Sequence, residues 1–226
     1  MQRLSIILKN SVESSIMAYI EVKGSGCAAQ IRKEHENAMK DIGFKRTDSL
    51  FSLCGLNCNL CPSFVRGGCG GCFSDSPCYL TCPLAPCSVE HGNVEYCFQC
   101  EEYPCKKYDG FDLHDSMVLH RNIKKDVEKA KRIGIVAYKE EQREKKKILD
   151  RLLEEYDDGH RDVFFCLAVN MLEIADLKDV LEQAEKTAGD MSLSDKAEFM
   201  KRQLHSCAEK RNVVLELRTT DDPWFK

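Results

Sequence analysis

Residues 54–72 read CGLNCNLCPSFVRGGCGGC, five thiols within nineteen residues, with a proline directly after the third and glycines around the last two. What holds these sulfurs decides the fold, because little else nearby could. Residues 48–110 carry almost no periodic apolar pattern, and Phe51, Leu53, Leu56, Leu60, Phe64, Phe73 and Phe98 are too few for an independent core. Modules of this size generally need covalent or metal staples.

The chain has 14 cysteines in 226 residues, of which eleven fall between Cys54 and Cys105 while Cys27, Cys166 and Cys207 stand alone. A disulfide framework belongs to an oxidising compartment, usually announced by a signal peptide. The early apolar runs Ile6 to Leu8 and Ile16 to Ile20 are too short for one, with Lys9 and Glu13 between them and no small-residue cleavage site following. We read the chain as cytoplasmic and the cluster as metal ligands. Eleven, an odd count, also argues against complete internal pairing. Hydrophobic content of 43% with 31% charge is that of an ordinary soluble protein, with no membrane span.

The spacings are Cys54-x3-Cys58-x2-Cys61, Cys69-x2-Cys72, Cys78-x3-Cys82-x4-Cys87 and Cys97-x2-Cys100-x4-Cys105. A Cys-x2-Cys turn lets two thiolates face one ion while backbone N–H groups point at the sulfurs, and a tetrahedral zinc site needs two such half-sites. Cys58/Cys61, Cys69/Cys72, Cys97/Cys100 and the wider Cys78/Cys82 supply four half-sites, enough for two zinc ions. Cys54, Cys87 and Cys105 remain, and with His91 or a water they could complete a third, open site of catalytic type. The plainer reading makes His91, in the turn-like EHGN, an exposed loop residue. Five of the six prolines, Pro62, Pro77, Pro83, Pro86 and Pro104, adjoin a cysteine, where a fixed φ pre-sets the turn that aims the thiolate. Iron is the alternative: Cys54-x3-Cys58-x2-Cys61 has the spacing of a radical-enzyme [4Fe–4S] motif and Cys61-Pro62 the end of a ferredoxin run. The context differs, since further cysteine turns and then helices follow instead of a βα barrel.

Around the cluster, residues 1–47 contain a strand expectation at Tyr19–Lys23 and a helix with Ala28, Ile31, His35, Ala38 and Ile42 on one face, ended by Gly43. His35 on that stripe reads as a packed residue. Met17 is an alternative start, which would make residues 1–16 an extension. Residues 111–226 read as helical. Ile123, Val127, Ala130 and Ile133 share a face; Lys139–Lys147 (KEEQREKKK) reads as a solvated surface with Glu141 and Lys145 paired; and Ile148, Leu149, Leu152, Leu153 and Tyr156 resume the stripe. Val163–Val169 (VFFCLAV) reads as the buried helix of this region, with Cys166 a packed small hydrophobe. Leu177, Val180, Leu181 and Ala184 define a helix capped near Asp176, and Leu193, Ala197, Met200, Leu204 and Cys207 another capped by Ser192 or Ser194. Then VVLELR (213–218) alternates as a strand.

Between Cys54 and Cys105 the only basic residue is Arg66 against Asp75, Glu90, Glu95, Glu101 and Glu102, a net of −4, so this module is poorly suited to nucleic acid. From Lys106 to Lys147 thirteen basic residues face eight acidic ones, a helical arm that screens the acidic module or offers an anion surface. HExxH, P-loop, GxGxxG and nucleophile-elbow motifs are lacking.

The series CGLNCNLCPSF, CGGC, Cys78, Cys82, Cys87 and YCFQCEEYPCKK resembles an uncharacterised cysteine-rich family of bacteria and archaea described as zinc-binding domains of unknown function. The likeness covers roughly residues 50–110. HRN at 120–122, RIGIVAY at 132–138, FFCLAVNML at 164–172 and VVLELR resemble its longer members, while the interval from Cys61 to Cys69 is shorter than in many. The resemblance implies zinc and all eleven thiols as ligands, with no activity or substrate.

The expectation is therefore an α+β fold in three parts: an extension (1–47), a metal-stapled cysteine-rich module (48–110) and a mainly helical domain ending in a strand (111–226). Its metal ligands are Cys54, Cys58, Cys61, Cys69, Cys72, Cys78, Cys82, Cys87, Cys97, Cys100, Cys105 and His91, holding two or three Zn²⁺ in a binding or adaptor protein. Its partner would be a protein or a small molecule. The alternatives are an Fe–S protein of electron transfer or sulfur and one-carbon chemistry, and a zinc enzyme with an open site near His91 and Glu90.

Overall fold

The computed structural model describes residues 42–218, apart from 74, 75, 77, 80, 81 and 117. The expected strand at Tyr19–Lys23, most of the helix after it, and Cys27 lie outside the described residues. The described chain contains helices α1 (Pro62–Val65), α2 (Leu84–Glu90), α3 (Ile123–Ile133), α4 (Ile135–Tyr156), α5 (Asp162–Met171), α6 (Ile174–Thr187) and α7 (Leu193–Lys210). Three 3₁₀ turns, at Cys58–Leu60, Cys97–Gln99 and Lys106–Tyr108, lie among the cysteines.

The long helix α4 organises the rest, touching α3, α5, α6, α7 and the turn at Cys58–Leu60. Its apolar stripe, Ile148, Leu149, Leu152 and Tyr156, packs with Phe165–Val169 of α5, Leu177, Val180, Leu181 and Ala184 of α6, and Met200, Leu204 and Ala208 of α7. Cys166 is buried in this core, as its apolar neighbours require, and Leu60 reaches it from the cysteine-rich part. Ser192 is the cap of α7, its Oγ accepting from Asp195 N at 3.2 Å.

Several expectations are corrected. The α+β class does not stand, because the one β-type pairing among the described residues is an isolated bridge between Phe51 and Asn57. VVLELR keeps its alternation but has no partner strand: Leu215 is buried in the helical core while Val214 is exposed. Its backbone is held from outside any sheet: Val213 N donates to Ala208 O and Asp115 N to Arg218 O, both at 2.9 Å, Arg218 N donates to Asp115 Oδ2 at 2.9 Å, and the Arg121 guanidinium donates to the carbonyls of Val214 and Glu216. Glu141 pairs with Lys129 at 2.5 Å, not with Lys145, whose ammonium donates to Asn170 O at 3.2 Å. Asp176 lies inside the first turn of α6 behind the N-cap Glu173 and pairs with Arg211 at 2.6 Å, so it is no cap. KEEQREKKK is only partly a solvated surface, since Gln142 within it is buried.

The cysteine-rich part completes its core by borrowing. Phe44, Leu53, Tyr79, Leu84 and Tyr108 close over Ile123 of α3, and Phe51 and Tyr96 close over Val127, Ala130 and Tyr138. This close approach needs Gly55, which has φ +99 and whose Cβ would stand 2.4 Å from Val127 Cγ2.

Candidate metal centre

The turn from Ser52 to Cys61 is fixed by local bonds before any metal is considered. Leu56 N donates to Ser52 Oγ at 2.7 Å, Ser52 N to Leu56 O at 2.8 Å and Asn59 N to Leu50 O at 3.2 Å. Cys61 then caps α1, where Pro62 at N1 lacks an N–H and starts the helix with its preset φ. Ser52 Oγ lies 3.1 Å from Cys54 Sγ, and Gly71 N donates to Cys69 Sγ at 3.4 Å. Burial raises the thiol pKa of Cys61 and Cys82, and nearby backbone N–H groups, of Ser63 and Phe64 for the one and of Leu84 and Ala85 for the other, oppose the rise. Such donors favour the thiolate over the thiol.

Cys87, Cys97, Cys100 and Cys105 line one recess beneath α2, with Tyr108 in its wall. Cys54, Cys72 and Cys82 pack with Cys97 and Cys105 in the apolar cluster of the cysteine-rich part. Of the trio expected as an open third site, Cys87 and Cys105 line the recess with the Cys97/Cys100 half-site, and Cys54 lies in the cluster that holds Cys97 and Cys105. All described cysteines are free thiols. Among the described residues, no group of three or more His, Cys, Asp or Glu side chains is arranged to hold a metal ion as it stands.

Burial dominates the thiol energetics. Desolvation, then the charge of Cys72, pushes Cys54 up to about 11; desolvation with Cys61 and Cys69 pushes Cys78 up to about 11. Cys97 is pushed up to about 12 by burial, and burial raises Cys58 and Cys82 well above the ordinary thiol value. Thiolates so close together cannot coexist without a cation, and a bound divalent metal inverts this balance. The four soft sulfur donors around the recess suit Zn²⁺, and the Gly71 N–H on Cys69 suits a thiolate.

His91 ends α2 at the lip of the recess. Its Nδ1 lies 2.8 Å from Cys87 O and 3.7 Å from Cys87 Sγ, and its Nε2 lies 3.4 Å from Glu102 Oε1. The Cys87 carbonyl and then Glu102 raise its pKa. Both ring nitrogens therefore have partners, and the recess has four thiols without it.

Sequence reasoning passed over Asn57 and Asn59, which lock the first cysteine turn to three helices. Asn57 Nδ2 donates to Asp126 Oδ2 of α3 at 2.9 Å and to Asn170 Oδ1 of α5 at 3.2 Å, while Tyr138 of α4 donates to Asn57 Oδ1 at 3.0 Å. Asn59 Nδ2 donates to Gln142 O at 2.9 Å. No periodicity marks an asparagine between cysteines as buried, so the sequence holds no signal for them. The basic arm does reach the module: Lys139 pairs with Asp48 at 3.3 Å, Lys131 lies over the Tyr103 ring, and Lys107 is near Cys87. Comparison of the chain with family models, curated proteins and solved structures finds no match.

Proposed function

We propose that this chain is a zinc-binding protein in which the metal holds residues 48–110 against the helical region, the whole acting as a binding or adaptor module. The observation that carries this reading is the recess lined by Cys87, Cys97, Cys100 and Cys105, four soft sulfur donors, the number a tetrahedral zinc site takes. Free thiols in this number suit a reducing cytoplasm. Four thiols around one recess leave no open position for a water, which favours structural zinc over catalytic zinc there. The motif likeness to the cysteine-rich zinc-binding family points the same way. No described helix is long and apolar enough to cross a membrane.

Metal analysis and a visible spectrum of the chain purified without air test the reading. Zinc in a colourless protein is expected; a brown protein containing iron and acid-labile sulfide would instead establish the Fe–S alternative. A chelator that strips the metal should expose residues 48–110 to protease, and native resistance after full stripping would sink the proposal.

A further inference from the structure

The zinc reading, on which this inference rests, makes Cys87, Cys97, Cys100 and Cys105 one ligand set around the recess. Two groups of that recess reach out of it to the same place. Cys97 N donates to Leu53 O at 2.9 Å, and the Tyr108 hydroxyl donates to Cys54 O at 3.1 Å. Leu53 and Cys54 are buried, and a buried carbonyl that loses its donor is costly, so these two bonds hold the first cysteine turn to the recess.

Tyr108 is itself set by the recess. It ends the 3₁₀ turn that follows Cys105, and its N–H donates to Cys105 O at 2.9 Å. Its buried ring stands edge-on to Tyr103, another residue of the recess wall, with centroids 5.1 Å apart. The turn it reaches is closed on itself by Ser52 N donating to Leu56 O, Gly55 N to Ser52 O and Leu56 N to Ser52 Oγ. On its far side Gly55 sits against Ile123 and Val127 of α3, and Asn57 is bonded to Asp126, Asn170 and Tyr138. The turn is thus suspended between the recess and the helices.

We propose that Tyr108 is a positioning residue that couples metal in the recess to the seating of the first cysteine turn on α3. An ion held by Cys87, Cys97, Cys100 and Cys105 fixes the Cys97 amide and the Tyr108 hydroxyl, and these two donors fix the turn from Ser52 to Leu56. Without the ion the wall loosens, both carbonyls lose their donors together, and the turn leaves α3. The recess is therefore a regulatory site as well as a staple. By linkage, a turn seated on α3 strengthens metal binding in the recess by the same factor that the metal strengthens the seating.

Hydrogen exchange at the Ser52, Gly55 and Leu56 amides of the full zinc-loaded chain tests the coupling in a double-mutant cycle. Cys100→Ser removes one recess ligand, and Tyr108→Phe removes only the hydroxyl. Each alone should speed exchange at these amides about tenfold, the worth of one buried hydrogen bond, while the double variant should be little faster than Cys100→Ser. Tyr108→Phe should also weaken zinc binding without lowering the number of ions bound at saturation. Should either variant fail to fold, zinc titration of the unsubstituted chain decides. Turn protection should then rise in step with the protection of Cys100 from alkylation. Rate increases that multiply independently in the double variant, a turn indifferent to either substitution, or turn protection out of step with Cys100 would overturn the coupling and leave zinc binding intact. A folded chain that takes up no zinc would overturn the zinc reading itself.

Discussion

Single residues carry unusual weight where the cysteine-rich part meets the helices. Gly55 combines φ +99 with contact against Val127, so Gly55→Ala meets both backbone strain and a clash. A loss of about 2–3 kcal/mol in the unfolding free energy of the metal-loaded protein is expected, measured by denaturant titration. Asp126 offers a test with a definite sign. Burial raises its pKa to about 6, against the attraction of Lys145 and Lys125 and hydrogen bonds from Tyr138 and Asn57. A carboxyl raised in the folded state stabilises below its unfolded pKa, near 4, and that contribution is lost as pH rises through about 6. Asp126→Asn keeps an acceptor for Asn57 and removes the buried charge. It should raise stability by about 2 kcal/mol at pH 8 and leave it unchanged near pH 4, read from unfolding curves at both pH values.

At the scale of elements, the segment 213–218 shows how a strand-like pattern can be satisfied without a sheet. Val213, Leu215 and Leu217 face the helical core; the Arg121 guanidinium donates to the Val214 and Glu216 carbonyls, Arg218 N donates to the Asp115 carboxylate, and Asp115 N donates to Arg218 O. Asp115 is fully buried; burial pushes its carboxyl up, but Arg218 N–H, the Arg121 guanidinium, His120 N–H and the Arg218 side chain outweigh it. The net pKa lies well below the usual carboxylate range. The stabilisation is therefore present above pH 4 and lost as pH falls below it. Asp115→Ala removes the acceptor and leaves a half-buried guanidinium without its partner, a loss of about 3 kcal/mol. Hydrogen exchange at Arg218 N–H should accelerate with it, whereas protection in α6 should persist to the extent that the helical core survives.

For the whole molecule, the borrowed cores link the cysteine turns to α3 and α4. Ile123, Val127, Ala130 and Tyr138 fill the apolar clusters of residues 44–108, while α6 and α7 pack in a different cluster with the second half of α4. Zinc modules derive on the order of 10 kcal/mol of folding free energy from each ion. Removing the metal should therefore release residues 48–110 and, with them, α3 and the first turns of α4. Hydrogen exchange after chelation should show protection lost there and retained in α6 and α7. Uniform loss across all helices would mean that the two halves fold as a single unit.

The sequence by itself determined the helices and the inventory of thiols. Periodic apolar stripes locate α3 to α7 because a helix face is written into consecutive residues, and the capping Ser192 and the buried Cys166 follow from the same local rules. The glycine- and proline-flanked cysteines marked the turns that present the thiols. Only the tertiary structure decided that Cys87, Cys97, Cys100 and Cys105 line one recess, that VVLELR docks as a lone extended segment, and that Asn57 anchors the first cysteine turn. The reason is physical. A helix is specified by neighbours three and four residues apart, whereas a thiol's partners, and a strand's, lie tens of residues away and are chosen by packing.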